Sequence, residues 1–274
     1  MPGRLYLVAT PIGNLEDITY RAVRVLGEVE VIACEDTRQT RKLLDHYAIS
    51  KPTISYHEYN EAERAPELVE RMRAGASVAL VSDAGMPLVS DPGYRLVRGA
   101  IDAGVAVEPI PGPSAALTAL AASGLPTDAF HFAGFLPAKA GQRARALEAL
   151  QEQSATLVFY EAPHRVLEAL EAIAAVLGPR PVVVARELTK LHEEFLRGTA
   201  AEVRGQLATR GSIKGEFTIL VGKAVAPPFD DTPVNEAVEQ LVRAGAARMD
   251  AIKQVARRRG LSKRVIYEQS LRDR

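Results

Sequence analysis

Two turn-rich loops carry the clearest prospect of chemistry in this 274-residue chain: Ser82-Asp83-Ala84-Gly85-Met86-Pro87-Leu88-Val89-Ser90-Asp91-Pro92-Gly93, and Pro111-Gly112-Pro113-Ser114. Each follows a short apolar run, Ser77 to Val81 and Val105 to Ile110, and precedes a helical pattern. In an open α/β sheet ligands bind beyond the carboxyl ends of the strands, so both loops are expected to handle a small molecule there. Gly, Pro and Asp also simply make turns, which is their commonest use. Acids stand beside cations at three other places: Glu35-Asp36 near Arg38 and Arg41, Glu161 near His164-Arg165, and Arg186-Glu187 near Lys190. An acid so placed can move a proton, and it is also often an arginine's partner holding a loop.

The elements that must position these residues follow from hydrophobic periodicity. Arg4 to Thr10, Val29 to Cys34, Ser77 to Val81 and Val105 to Ile110 read as buried strands. Helical patterns lie between them at Ala22 to Leu26, Thr37 to Tyr47, up to Ala74, and Tyr94 to Ala103. Asn60 and Glu63 fit a capping box for the third of these, and Pro113 fits the first turn of a helix running through Ala122. The alternation predicts a mainly parallel sheet with helices on both faces. Near Leu125-Pro126-Thr127-Asp128 the pattern restarts, with strands at Ala129 to Gly134, Thr156 to Tyr160, Pro181 to Arg186 and Phe217 to Val221, and helices at Arg143 to Gln151 and His164 to Leu177. This is expected to be a second α/β domain with more strand pairing than the first.

Ala224-Val225-Ala226-Pro227-Pro228-Phe229-Asp230-Asp231 has the composition of a linker. Three short helical patterns follow, Val234 to Ala244, Ala247 to Arg258 and Lys263 to Leu271. Gly260-Leu261-Ser262 supplies a turn and a serine N-cap between the last two, as in a helix-turn-helix. The expected organisation is therefore an α/β domain over 1–124, a second over 125–223, a linker over 224–232 and a basic helical domain over 233–274.

Composition bounds the function. Hydrophobic residues make up 47% of the chain, ample for sizeable cores, and the lone Cys34 excludes a disulfide framework and a four-cysteine metal site, leaving a reduced core thiol. No apolar stretch approaches the roughly 20 residues of a membrane span. No long apolar core follows Met1-Pro2-Gly3-Arg4, so a cytoplasmic protein without membrane contact is expected. The 34 basic and 34 acidic residues cancel, but residues 248–274 hold nine Lys or Arg against three acids, a net +6 on an otherwise acidic chain. Such a tail suits a polyanion, or else a solvated helix face.

After the first strand, Pro11-Ile12-Gly13-Asn14 stands where a dinucleotide or common methyltransferase fold would place Gly-x-Gly-x-x-Gly. P-loop, His-Glu-x-x-His and Gly-x-Ser-x-Gly patterns are also absent. Seven segments at strand ends do form a familiar series: Ala9-Thr10-Pro11-Ile12-Gly13-Asn14-Leu15, Glu35-Asp36-Thr37-Arg38, Ser82 to Gly93, Pro111-Gly112-Pro113-Ser114-Ala115, Gly134-Phe135-Leu136-Pro137, Tyr160-Glu161-Ala162-Pro163-His164-Arg165 and Arg186-Glu187-Leu188-Thr189-Lys190. In these the chain resembles the tetrapyrrole methylase-like (class III) S-adenosylmethionine-dependent methyltransferases. The likeness is closest to their RNA-modifying branch, which methylates a cytidine ribose 2′-oxygen in 16S rRNA. Cobalamin-pathway relatives begin the long loop Gly-Asp-Pro; Ser82-Asp83-Ala84 here departs from that in the manner of the RNA branch.

The resemblance implies two α/β domains of the tetrapyrrole methylase type with S-adenosylmethionine in the cleft between them, a small C-terminal helical domain, and a homodimer acting on 16S rRNA or the small ribosomal subunit. The alternatives are a precorrin-type tetrapyrrole methyltransferase and a non-catalytic RNA-binding assembly factor. For the cofactor, Gly85, Met86, Pro87, Ser114 and Ala115 offer close backbone approach, Asp83 an acceptor, and Pro11 a wall. Methyl transfer to a hydroxyl needs orientation and proton removal and no metal. Glu35, Asp36, Glu161, His164 and Glu187 are candidate bases, and Lys190 could act as one if a sulfonium lowered its pKa. The catalytic set is then Glu35, Asp36, Glu161 and Lys190, with Arg38, Arg41, His164, Arg165 and Arg186 on the RNA and Arg258, Lys263 and Arg264 contacting it from the tail. Tyr267 could stack on a base or pack in the small core.

Overall fold

A computed structural model describes residues 3–224, 232–259 and 261–272, without the side chains of residues 257, 258, 271 and 272. Most of the expected linker, together with Gly260 and the Arg258 side chain, therefore lies outside the described residues. The chain forms two compact units, one up to Ala224 and one after it. The α/β halves expected over 1–124 and 125–223 are two five-stranded sheets within the first unit.

The first sheet is built from β1 (Arg4–Val8), α1 (Tyr20–Glu28), β2 (Val31–Cys34), α2 (Thr37–His46), β3 (Thr53–Ser55), α3 (Glu61–Arg73), β4 (Val78–Val81), α4 (Tyr94–Asp102), β5 (Ala106–Ile110) and α5 (Ala115–Ser123). All its strands are parallel, in the order β3-β2-β4-β1-β5. Central β2 and β4 are buried on both faces, which is why they read as unbroken apolar runs. Leu5, Val31, Ala33, Val78 and Leu80 meet α3 and α4 through Leu68, Met72 and Leu96. Val8, Ile32, Cys34, Ala79 and Val81 meet α1 and α2 through Val25, Leu26 and Leu44 on the other face. Val8 is level with Val81 on one side and Ile110 on the other, so the loops after β4, β1 and β5 leave the same edge side by side.

Two expected caps differ. Asn60 makes no capping bond to α3; its Oδ1 accepts from His57 N–H at 2.9 Å and its Nδ2 donates to Ser55 O at 3.1 Å, so the carboxamide is committed to the preceding turn. Pro113 lies before the first turn of α5, because the helix starts at Ala115 with Ser114 as its N-cap.

The second sheet holds β6 (Phe130–Phe135), α6 (Ala140–Glu148), β7 (Thr156–Glu161), α7 (Val166–Leu177), β8 (Pro181–Arg186), β9 (Glu194–Thr199), α8 (Ala200–Ala208) and β10 (Phe217–Val221). Its order is β6-β7-β10-β8-β9, parallel only between β6 and β7. It thus has no more strands than the first sheet; what differs is their antiparallel pairing. Alternation sends Leu157 and Phe159 toward α6, α7 and α8, and Val158 with Val183 and Leu220 toward Ala116, Ala119 and Leu120 of α5. α7 starts two residues later than expected, placing His164 ahead of the helix and Arg165 at its N-cap.

After Ala224, α9 (Val234–Arg243), α10 (Arg248–Arg259) and α11 (Lys263–Arg272) close around Val238, Ala251, Ile252 and Ile266. The Ser262 hydroxyl accepts from Val265 N–H at 3.3 Å at the start of α11. Tyr267 is 46% exposed. Among the described residues no helix is long and apolar enough to cross a membrane.

Candidate functional site

The loops after β1 and β4 are fastened to each other at the edge of the first sheet. Thr10 and Gly85 exchange N–H···O bonds of 2.9 and 3.0 Å, and the buried Thr10 hydroxyl donates to Ser82 O at 3.1 Å. Gly85 has φ +84°, in the left-handed region that favours glycine. Leu88 and Ser90 also have positive φ, 72° and 71°, so the loop holds two side-chain-bearing residues in a sparsely populated conformation. Tyr160 of β7 reaches across to α5, its hydroxyl accepting from Ala116 N–H at 3.2 Å, and Phe132 and Phe135 meet its ring edge-on at 4.9 and 5.8 Å.

These pieces enclose a cavity of about 360 Å³. The first sheet contributes Ile12, Asp83 to Met86, Val89 to Asp91, and Ser114-Ala115 to its wall. The second contributes Phe135, Tyr160 to Pro163, Leu188 and Glu216 to Thr218. Five of the seven residues expected around a cofactor therefore line it: Asp83, Gly85, Met86, Ser114 and Ala115. Pro11 and Pro87 do not; Pro87 is buried behind the loop it shapes.

Of the expected catalytic residues only Glu161 lines the cavity. Its side chain is fully buried; Oε1 accepts from Ala162 N–H at 2.9 Å and lies 3.3 Å from Arg165 Nε, while Oε2 has no partner. Burial raises its pKa against the pull of that N–H and of Arg165, Arg143 and His164. Asp36 is instead gripped by its neighbour: Arg38 donates from Nε at 3.1 Å and Nη2 at 2.8 Å, and its hydrogen bonds hold the carboxyl at about 2, poorly suited to accept a proton near neutrality. Glu35 is exposed at the end of β2, its pKa raised by partial burial and then by Asp83.

Lys190 overturns the expectation of a lowered pKa. It donates 3.0 Å bonds to both Glu187 Oε1 and Glu216 Oε2, and although burial acts to lower its pKa, the two carboxylates outweigh that and leave it raised. Glu187 also accepts from Glu216 N–H at 3.0 Å, so the three residues fasten the loop after β8 to the start of β10. Glu187 and Thr189 hold positive φ of 52° and 65° there. Gly13 lets the loop after β1 lie against them, since a Cβ at that position would fall 2.5 Å from Lys190 Cγ.

The expected RNA-contacting cations divide by engagement. Arg165 donates to Leu136 O, and Arg186 donates to Lys214 O at 2.7 Å and Glu194 at 2.9 Å, so both tie loops together. Arg38, with its side chain 88% exposed, and Arg264, at 2.8 Å from Glu268, sit in surface pairs that exchange readily with water. Arg41, His164 and Lys263 are exposed. Sequence reasoning passed over Asp91, Tyr160, Phe135 and Glu216 in the wall. The first three stand inside the segments that carry the family resemblance, yet an aspartate before a proline reads as a turn and an aromatic in a strand reads as core.

A family model for Tetrapyrrole (Corrin/Porphyrin) Methylases matches residues 4–204. The chain belongs to this family. Among known tetrapyrrole methylase relatives, Ribosomal RNA small subunit methyltransferase I of Halalkalibacterium halodurans is 51% identical over 271 residues, 97% of this chain and 93% of that protein. The protein of the same name from Bacillus subtilis is 46% identical over 273 residues, again 97% and 93%. Among solved structures, a conserved hypothetical protein from Aeropyrum pernix K1 aligns with TM-score 0.64 at 18% identity, covering 98% of this chain and 96% of its own. A uroporphyrin-III C-methyltransferase from Thermus thermophilus complexed with S-adenosylhomocysteine aligns with TM-score 0.56 at 24% identity, covering 81% and 98%. At these identities the structural likenesses speak for the tetrapyrrole methylase fold alone.

Proposed function

We propose that the chain transfers a methyl group from S-adenosylmethionine to small-subunit ribosomal RNA, at the ribose 2′-hydroxyl of a cytidine. The observation that carries this is the cavity: an apolar wall of Ile12, Met86, Val89 and Phe135 bearing the carboxyl groups of Asp83, Asp91 and Glu161, with the buried Glu161 Oε2 unpartnered. That lining suits a small ligand with an apolar body and positive charge, which S-adenosylmethionine is. Asp83, Gly85, Met86, Ser114 and Ala115 would hold it, and when bound it supplies a methyl group already activated on a sulfonium. RNA as the acceptor is supported by the names of relatives that span nearly the whole chain, and by the basic tail, which a tetrapyrrole would not require.

On this reading Arg41 and His164 at the first unit, and Lys263 and Arg264 on α11, meet phosphates, while Arg165 and Arg186 keep the loops in place. The protein works in the cytoplasm, where ribosomal subunits are found, and as a homodimer, the state its family resemblance implies. The test is transfer of labelled methyl from S-adenosylmethionine to small subunits isolated from cells lacking the gene, followed by nucleoside digestion and mass spectrometry. The expected product is 2′-O-methylcytidine. Bound cofactor without incorporation would refute the RNA substrate. In the full chain, Lys263→Ala with Arg264→Ala should reduce the slope of log affinity against log salt by about 0.7–0.9 for each phosphate that is no longer neutralised; an unchanged slope removes α11 from the interface.

A further inference from the structure

The carboxyl groups that line the cavity differ in what holds them. Glu161 has Arg165 and the Ala162 N–H, Glu216 has Lys190, and Asp83 Oδ1 accepts from Asp36 N–H at 3.1 Å. Among the described residues, Asp91 has neither a cation partner nor a backbone N–H donor. The Ser82 hydroxyl gives its charged form some support, but the hydroxyl's hydrogen bonds run to Gly85 O at 3.1 Å and Ala84 O at 3.4 Å. Asp83 and Tyr160 line the same wall, and the charges of Glu35 and Asp83 act on Asp91 to disfavour its ionised form, as Asp91 in turn does for the Tyr160 phenol. Asp91 follows Leu88 and Ser90 and precedes Gly93, all with positive φ, so its backbone is held by a strained and well-fastened loop.

Resting on the methyltransferase reading, we propose that Asp91 is the catalytic base that takes the proton from the acceptor hydroxyl of the RNA. A base must be free to accept a proton at working pH and open to the acceptor; Glu161 also keeps one oxygen unpartnered, but its side chain is fully buried with Arg165 beside it, whereas Asp91 is half-buried at the cavity wall. Asp91 takes the hydroxyl proton as the oxygen–methyl bond forms and the methyl–sulfur bond breaks, the electron pair of that bond staying on sulfur; the proton then passes from the carboxyl to water. Burial, and after it the charges of Glu35 and Asp83, lift the Asp91 pKa to about 6, which brings it near neutrality while leaving it ionised at pH 7.

The experiment compares wild type, Asp91→Asn and Asp91→Glu in three readouts: cofactor affinity by calorimetry, carboxyl carbon shifts of labelled aspartates in the cofactor-free protein between pH 4 and 8, and single-turnover methyl transfer at saturating cofactor. Expected are a resonance titrating near 6 that Asp91→Asn abolishes, cofactor affinity lowered by no more than about tenfold because Asp91 is one of several carboxyl groups on the wall, and transfer at saturating cofactor lowered by about 10²-fold or more with loss of the acid limb. Partial recovery in Asp91→Glu would separate proton transfer from misfolding. An Asp91→Asn rate within about threefold of wild type, or a defect that appears only as weakened cofactor binding, overturns the assignment. Wild-type protein that binds cofactor but transfers no methyl to RNA would instead sink the function on which it rests, and this inference with it.

Discussion

Asp91→Asn should make the protein more stable at pH 7.5, with only about a third of that gain present at pH 4.5. The Asp91 carboxyl titrates near 3.8 when unfolded and at about 6 in the fold, chiefly because burial disfavours its charge and secondarily because Glu35 and Asp83 do. The native state therefore holds the proton more tightly, and stability falls as pH rises through the window from about 4 to 6. Above that window the ionised group carries its full penalty. Two pKa units correspond to about 3 kcal/mol, and partial solvent screening of this half-buried group brings the expectation to about 1–2 kcal/mol. A neutral isostere removes the penalty, which for a unit of this size means a melting temperature higher by about 2–8 °C. Thermal unfolding of the cofactor-free protein across pH 4 to 8 measures it. A difference between variant and wild type that does not grow through the window, or that favours wild type at pH 7.5, would refute the environment described for Asp91.

Two other substitutions probe how the cavity is held. Tyr160→Phe removes the acceptor for Ala116 N–H, and the orphaned donor should lower stability by about 1–3 kcal/mol and weaken cofactor binding beside Ser114; an unchanged melting temperature and affinity would mean that the bond contributes nothing. Lys190→Met leaves Glu187 and Glu216 facing each other without their cation. It should lower stability by about 1–3 kcal/mol while the pH profile of the remaining activity keeps its shape, whereas loss of an alkaline limb would restore Lys190 as a base.

Much of the fold was legible because burial leaves a mark on composition. Val31–Cys34 and Val78–Val81 are covered on both faces and read as plain apolar runs. Two of the four edge strands left no such mark: β3 is three residues long, and β9, Glu-Phe-Leu-Arg-Gly-Thr, carries two charges and a glycine. α8 after it mixes small, polar and apolar residues with little one-sided pattern. At the site, the loops could be found from their turn residues, but which acid is paired and which is free could not. Arg38 stands two residues from Asp36 in the sequence, but only the fold sets Asp91 apart from any such cation and brings the charges of Glu35 and Asp83 to bear on it. Lys190 shows the same limit in part: Glu187 is three residues away, but Glu216 lies beyond β9 and α8 and is brought to it only by the fold.

The cavity wall begins with Ile12 and ends with Thr218, and α5 lies against both halves between them. A site made of such distant segments has high contact order: loop closure must be completed across nearly the whole first unit before any ligand finds its partners. During synthesis, β10 must emerge before the wall can close, so the nascent chain has no binding-competent intermediate built from the first sheet alone. Ligand added to the finished protein then stabilises both sheets together, by RT ln(1 + [L]/Kd), and its effect should appear as one shift of the cooperative unfolding of that unit.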